Sequence, residues 1–277
     1  MAATTSATLD DLFANIIAQA RFTAEQQSLM LGLVTPYNIG STPGKTIQIP
    51  KYPSIAAAAL TEGTDMSSTT VSTSSVTVTI AEVGAQVLLT DLARDGHGNP
   101  ATELGTVLGS AIAKKMDQDL LALFDGFSTS LGGAGTEITV ADIFKAVAIL
   151  QNNNAPGSMA AVIHPYTAYQ LKANLTNTFA NPNGGDAQNE AMRNSFVGSL
   201  GGVDIFQSSN LTVDGNDDVK GAVFSREALA IALKRDFQIE TQRDASLRAT
   251  ELNATAVYGV GELDDTYGVE LFFDAAV

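Results

Sequence analysis

Residues able to do chemistry are sparse in this chain, and their spacing decides what they can do. "PGKT" at Pro43 to Thr46 has the ending of a phosphate-binding loop, in which backbone amides and a lysine hold phosphate oxygens. That loop needs a glycine where Ile39 stands and a helix where "IQIP" alternates like a strand. Gly259 and Gly261 lack the third glycine of a dinucleotide fingerprint, and no G-x-S-x-G nucleophile turn occurs. "DGNDD" at Asp214 to Asp218 has the wrong order for a calcium loop, with Ser225 where the twelfth position needs Glu, and reads as a polar hairpin turn. The two histidines, His97 in a glycine-flanked loop and His164 before a proline, are too few for a multi-histidine metal site and read as turn residues. Absence of Cys excludes thiolate ligands, thiol nucleophiles and disulfides. Carboxylates are plentiful, but no context marks a catalytic pair. The expectation is no catalytic residue, no cofactor and no metal.

Composition narrows the class further. The 277 residues are 45% hydrophobic, enough for one large or two modest domains with a sizeable core. Thirty acidic against 15 basic residues give a net charge of −15, the reverse of a surface that neutralises nucleic-acid phosphates. Between Lys51 and Arg94 no basic residue occurs at all. The acidity suits solubility, or a surface that lives beside nucleic acid without adhering to it. The start, "MAATTSATLDDLF", has no basic region and places Asp10 and Asp11 where a signal peptide needs apolar residues. No apolar run reaches the roughly 18 residues of a membrane span, so a soluble, cytosol-like protein is expected.

These residues must be carried by a definite order of elements. From Thr8, Leu9, Leu12, Phe13, Ile16, Ile17 and Ala20 recur at helical spacing, with Thr8 and Asp11 as a capping-box-like start. After "TPYNIGSTPGK", Lys45 to about Asp91 reads as a long hairpin with a loose tip. Ile47 and Ile49 alternate in one arm, and Val76, Val78 and Ile80 in the other. Its return arm, "MSSTTVSTSSVTVTIA" from Met66, has no charge, and a strand from Ser67 to Ala81 would span roughly 50 Å at about 3.3 Å per residue. From Pro100, capped by Asn99, Leu104, Leu108, Ile112, Met116 and Leu120 recur every fourth residue, closed by Leu123, Phe124 and Phe127. An αβ unit follows, with Thr139 and Asp142 as a second capping box, the strand "MAAVIH", a helix from "PYTAYQLKANL", a surface loop "NPNGGDAQNE" and the strand "GGVDIFQSS". The last third reads as the strand "AVFS", a helix-like "REALAIAL" and three more strands.

The order resembles the major capsid protein of tailed bacteriophages, the Hong Kong 97-type fold, an α+β class. "AIAKKMDQDLLALFDG", from Ala111, is similar to the end of that family's spine helix. "ADIFKAVAILQNNNAPGSMAAVIHPYTAYQLKAN", from Ala141, is similar to its axial-domain helix, strand and turn. "GSLGGVDIFQSSNL", from Gly198, looks like its G-x-x-G-V-x-V-x-x-S strand, and "GAVFSREALAIALKRDFQIE" like its closing helix and the strand after it. The resemblance covers nearly the whole chain and implies an N-arm (1–44), an extended E-loop hairpin (45–91), a peripheral domain with the spine helix and long strands (92–130 and 222–277) and an axial domain (131–221).

It further implies a shell of hexamers and pentamers around double-stranded DNA, held without sequence-specific binding and without a membrane. A separate scaffolding protein is expected, since the chain begins at Met1 with no scaffold-like region ahead of the N-arm. A portal at one vertex and a cement or decoration protein complete the partners, with assembly in the host bacterial cytoplasm and residence in the virion. The uncharged hairpin then belongs across a neighbouring subunit, because an unpaired ion buried there is costly. Contacts are expected through Val71, Val76, Val78 and Ile80. A second set, Arg235, Arg243 and Arg248 with Glu240, Asp244 and Glu251, is expected to pair between subunits around a local symmetry axis. The E-loop has no Lys after Lys51, so shells without covalent cross-links are expected. The alternatives are an encapsulin-type nanocompartment, whose cargo sequence does not reveal, and a tail-tube or decoration protein, which lacks the long helix. A surface adhesin needs a secretion signal.

Overall fold

The computed structural model describes residues 28–40, 43–53, 70–93, 101–179 and 199–276, together with 55, 57, 59–63, 65 and 68. The helix expected from Thr8, the His97 loop, the Asn99 and Pro100 cap and the loop 181–190 lie outside them. In chain order the strands are β1 (Thr35–Asn38), β2 (Thr46–Lys51), β3 (Ser74–Thr79), β4 (Ala81–Thr90), β5 (Ser130–Gly132), β6 (Met159–Ile163), β7 (Ser199–Leu200), β8 (Val203–Gln207), β9 (Asp218–Ser225), β10 (Leu229–Asp244), β11 (Ala249–Glu262) and β12 (Gly268–Asp274). The helices are α1 (Ala101–Leu121), α2 (Val140–Asn152) and α3 (Pro165–Phe179).

The first sheet runs β1-β10-β11-β4. Its inner face, with Val83, Ala85 and Val87 from β4 and Leu252, Ala254 and Ala256 from β11, receives the Leu104, Leu108, Ile112, Met116 and Leu120 stripe of α1. The every-fourth-residue spacing thus becomes the face that the helix buries. A 3-10 turn, Ala122–Gly126, ends the helix and drops Phe124 against Phe224, ring centroids 5.3 Å apart. Where the described chain begins, the buried Asp117 of α1 accepts hydrogen bonds from the Leu29 and Met30 amides, both 3.1 Å, and the Ser28 hydroxyl, 2.9 Å. Residues 28–38 of the expected N-arm are therefore fastened to α1 and, through β1, to β10.

The second sheet runs β5-β12-β9-β6-β8-β7, with the apolar faces of α2 and α3 on one side of it. The Thr139–Asp142 capping box opens α2 as expected. Strand β9 sits inside this sheet with β12 and β6 on either side, and its Phe224 packs on Phe124 at the end of the long helix. The reason is burial on both faces. Ala222, Val223 and Phe224 are all at 0% exposure, and only a central strand offers that.

Two expectations are corrected. "REALAIAL" is no helix: Leu229 to Leu233 begins the 16-residue β10. Leu229, Ala230, Ile231 and Ala232 are fully buried, so both faces of the strand are covered. A short unbroken apolar run has no periodicity to separate strand from helix. The single long strand from Ser67 to Ala81 is also replaced, by six-residue β3 followed at Ala81 by β4 in a different sheet. The partner β2 ends at Lys51, and Tyr52-Pro53 follows, where proline has no amide for a ladder.

The chain crosses between the sheets at 127–129, 226–228 and 263–267, and these crossings are bonded together. The Ser128 amide and hydroxyl donate to Asp265, the amide at 2.7 Å, and the Leu263 amide donates to the Ala228 carbonyl at 2.7 Å. Phe127 lies so close over Gly268 that no side chain fits there.

Candidate subunit-contact surfaces

Strands β2 and β3 pair over six positions, from Thr46 opposite Thr79 to Lys51 opposite Ser74, as a sheet of their own. Their apolar side chains point at a seat of small residues. Ala230 faces Gly261 and Ala232 faces Gly259 across the β10–β11 ladder, and Ile49 and Val78 rest on the alanines. A Cβ on Gly261 would lie 2.7 Å from Val78 Cγ2, and one on Gly259 would overlap the Thr79 carbonyl oxygen. The two glycines first weighed as a nucleotide fingerprint therefore serve close approach of the hairpin. Lys51 forms an ion pair with Asp264, the Lys234 ammonium donates to the Gly44 carbonyl, and the Ile80 amide donates to the Lys45 carbonyl at 2.8 Å.

Beyond this base the surface changes character. Tyr52, Ile55, Leu60 and Val71 are 71, 58, 66 and 42% exposed. Of the four hairpin residues expected to meet a neighbour, Val78 and Ile80 are buried within their own chain and Val76 packs half-buried on the same seat. Only Val71 is exposed. The alternation of β3 is the signature of its anchoring, and the outward surface comes from residues past it.

The second set lies toward the far end of β10 and β11. Arg243 makes a two-pronged bond to Asp91, 2.9 and 2.7 Å, which holds its guanidinium charged beyond the usual range. Asp244 turns inward to its own loop, accepting from the Ser246 hydroxyl at 2.6 Å and the Ser246 and Leu247 amides at 2.8 and 3.1 Å. These bonds, the hydroxyl first, hold its carboxyl below the usual range. Arg248, exposed, takes a left-handed backbone at φ 49° in the same turn. Arg235 approaches Glu82 at 3.9 Å, exposed Glu240 stands opposite Asn253, and Glu251 lies between Gln242 and Leu88. The arginines thus meet Asp91 and Glu82, which sequence reasoning did not single out, because the β4–β11 register that brings them near is a long-range contact. Leu88, Leu92 and Leu247 add 48, 85 and 58% exposed apolar surface at this end.

The motifs weighed for chemistry have structural duties. Lys45 leads directly into β2, and Asp214 accepts from the Asn216 and Asp218 amides to close a tight turn. His164 caps α3: its Nδ1 accepts from the Tyr166 amide at 3.3 Å, and burial pushes the imidazole below its ordinary range. Among the described residues no group of His, Asp and Glu is arranged to hold a metal, and no helix is long and apolar enough to cross a membrane.

Comparison with known proteins agrees with this architecture. The model of a family described as phage capsid protein matches residues 54–270. The major capsid protein of Staphylococcus phage phiMR11 is 25% identical over 234 residues, covering 83% of this chain and 81% of that protein. Among solved structures, the capsid of cyanophage P-SCSP1u superposes with a TM-score of 0.69 at 19% identity, covering 90% of this chain and 89% of the other. A chain of Mycobacterium phage Che8 gives 0.65 at 20% identity, over 83 and 85%. The chain belongs to the phage capsid protein family, with the Hong Kong 97-type α+β fold, and as a major capsid protein it builds the virion shell from copies of itself.

Proposed function

We propose that this chain forms hexamers and pentamers that close an icosahedral head around double-stranded DNA, with the hairpin lying across a neighbouring subunit. The carrying observation is the exposed set Tyr52, Ile55, Leu60 and Val71 on a hairpin to which no third strand is paired among the described residues. A two-stranded hairpin is marginal in water, and covering its exposed apolar side chains would stabilise it. The arginine end of β10 and β11, with Leu88, Leu92 and Leu247 beside it, is the second proposed contact, around a local symmetry axis. Of the parts, the peripheral unit takes the first sheet with α1, and the axial unit takes the second sheet with α2 and α3.

Assembly in the host cytoplasm is proposed to need a separate scaffolding protein, with a portal at one vertex and a cement protein outside. The acidic balance supports enclosure of DNA without adhesion, because like charges repel phosphate. The test is sedimentation and negative-stain imaging of the protein expressed alone and with scaffolding candidates. Closed shells or regular capsomers are expected. Leu60→Asp is expected to leave a folded subunit, judged by circular dichroism, that does not assemble. Normal shells from that variant would overturn the hairpin contact.

A further inference from the structure

The base of the hairpin meets its seat closely at one point, where Val78 and Thr79 lie over Gly259 and Gly261. Alanine and glycine at 230, 232, 259 and 261 present almost no side chain for Ile49 and Val78 to lodge behind. Open space flanks it on both sides. One cavity of about 780 Å³ includes Tyr37, Tyr52, Asp264 and Tyr267 in its walls, and another of about 580 Å³ includes Gly40, Lys45, Ile80 and Lys234. A flat seat with room on either side leaves the hairpin's angle to be set by its polar ties.

The Lys51–Asp264 pair is the tie best placed to do this. Lys51 is the last paired residue of β2, at the end of the base that points toward the tip. Asp264 is nine-tenths buried and is itself fixed, accepting from the Thr266 amide at 3.1 Å and hydroxyl at 2.7 Å. It lies in the crossover that carries the chain from the first sheet to the second, beside Asp265, which holds Ser128 of the opposite crossover. The Lys51 ammonium acts on Glu262 as well, so it is a cation set against the carboxylates of Glu262 and Asp264. Without it Glu262, at the end of β11, is repelled by Asp265 and Asp264 with nothing to offset them.

We propose that the Lys51–Asp264 pair is a latch that sets the angle of the hairpin on its alanine and glycine seat, and ties that angle to the crossover between the two sheets. The latch belongs to the single chain and holds whether or not the hairpin reaches a neighbouring copy. Its partners are charged and its lysine side chain is 44% exposed, so ionic strength acts on it as well as substitution.

The chain has no cysteine, so introduced pairs are the sole sites for spin labels. Pulsed dipolar distances are measured on the full unassembled chain between Ser75→Cys and Gln242→Cys, for the hairpin, and between Glu137→Cys and Gln242→Cys, for the two sheets. Lys51→Gln is expected to shift and at least double the width of both distributions, 1 M salt to act in the same direction, and Lys51→Arg to restore the parent. A Lys51→Gln chain with an unchanged hairpin distribution overturns the latch. Movement of the hairpin with an unchanged sheet-to-sheet distribution overturns the tie to the crossover.

Discussion

Gly259→Ala tests the seat directly. The added Cβ meets the Thr79 carbonyl oxygen, a backbone atom that no rotamer change moves, and comes 3.1 Å from Val78 Cγ1. Either β11 or the hairpin base must give way. Overpacking of this kind costs about 1–3 kcal/mol, and the entropy that alanine removes from the unfolded chain does not offset it, because β11 is folded whether the hairpin is docked or not. Burial of Val78, 1% exposed, and Ile49, 9% exposed, stabilises the seated hairpin by about 1.5–3 kcal/mol each as an upper bound. A loss of about 1–3 kcal/mol therefore comes out of the docking step, a roughly 5- to 150-fold rise in the undocked population. Because an undocked two-stranded hairpin does not hold its own ladder, hydrogen exchange over 45–52 and 74–81 should accelerate by that factor while α2 and β6 keep their protection. Gly215→Ala is the control, since a Cβ there meets nothing within 4 Å. Unchanged exchange in both hairpin segments of Gly259→Ala would refute close approach as the reason for glycine.

Other substitutions probe the joints. Asp117→Ala strands the buried Met30 amide and the partly buried Leu29 amide, at about 1–3 kcal/mol each, against some relief from removing a buried carboxylate whose titration burial has raised. Urea denaturation should show a loss of about 2–4 kcal/mol, smaller for Asp117→Asn, and equal stability of the alanine variant would remove its fastening role. Gly268→Ala drives a methyl into the Phe127 ring, so its cost should shrink when combined with Phe127→Leu; strict additivity in that double-mutant cycle would show that the ring is not what it meets. Since burial lowers the folded titration of His164 below 6.5, its contribution is complete above 6.5 and is lost as pH falls through the folded value. His164→Asn, which keeps a capping acceptor without titrating, should remove that acid-side loss. A proton-resonance titration placing His164 at or above 6.5 would contradict the assignment.

How much of this was legible from sequence depends on the range of the contact that fixes each feature. The stripe from Leu104 to Leu120 and the Thr139–Asp142 box are local, and both stand in the fold as read. Val78 shows where local reading stops: its alternation with Val76 marks a half-buried strand, but period two does not say whether its own chain or a neighbour covers the apolar face. The decisive signal was Gly259 and Gly261, spaced two apart on one face of a strand, because glycines there mark backbone or side chains arriving from elsewhere. In sequence the pair has only the look of an incomplete nucleotide motif, and the β10–β11 register, which sets Gly259 opposite Ala232 and Gly261 opposite Ala230, turns it into a seat.

The same distinction accounts for the charges. Arg243 has Asp244 beside it in sequence, but adjacent strand residues point to opposite faces, so Asp244 is free to cap its turn while Arg243 reaches Asp91 across β11. Arg243 is thus already neutralised within the subunit, whereas Glu240 is exposed on the opposite face of β10. Contact between copies at this end then depends less on forming new arginine pairs than on covering Leu92 and Leu247, 85 and 58% exposed. Arg243→Glu places two carboxylates together within one chain before any neighbour arrives, so it should first loosen the 245–248 turn and fail to assemble for that reason. Asp91→Arg with Arg243→Glu restores the pair inside the chain and should recover shells. Shells that stay absent although the restored turn regains its protection from exchange would instead place these two side chains in the contact between subunits.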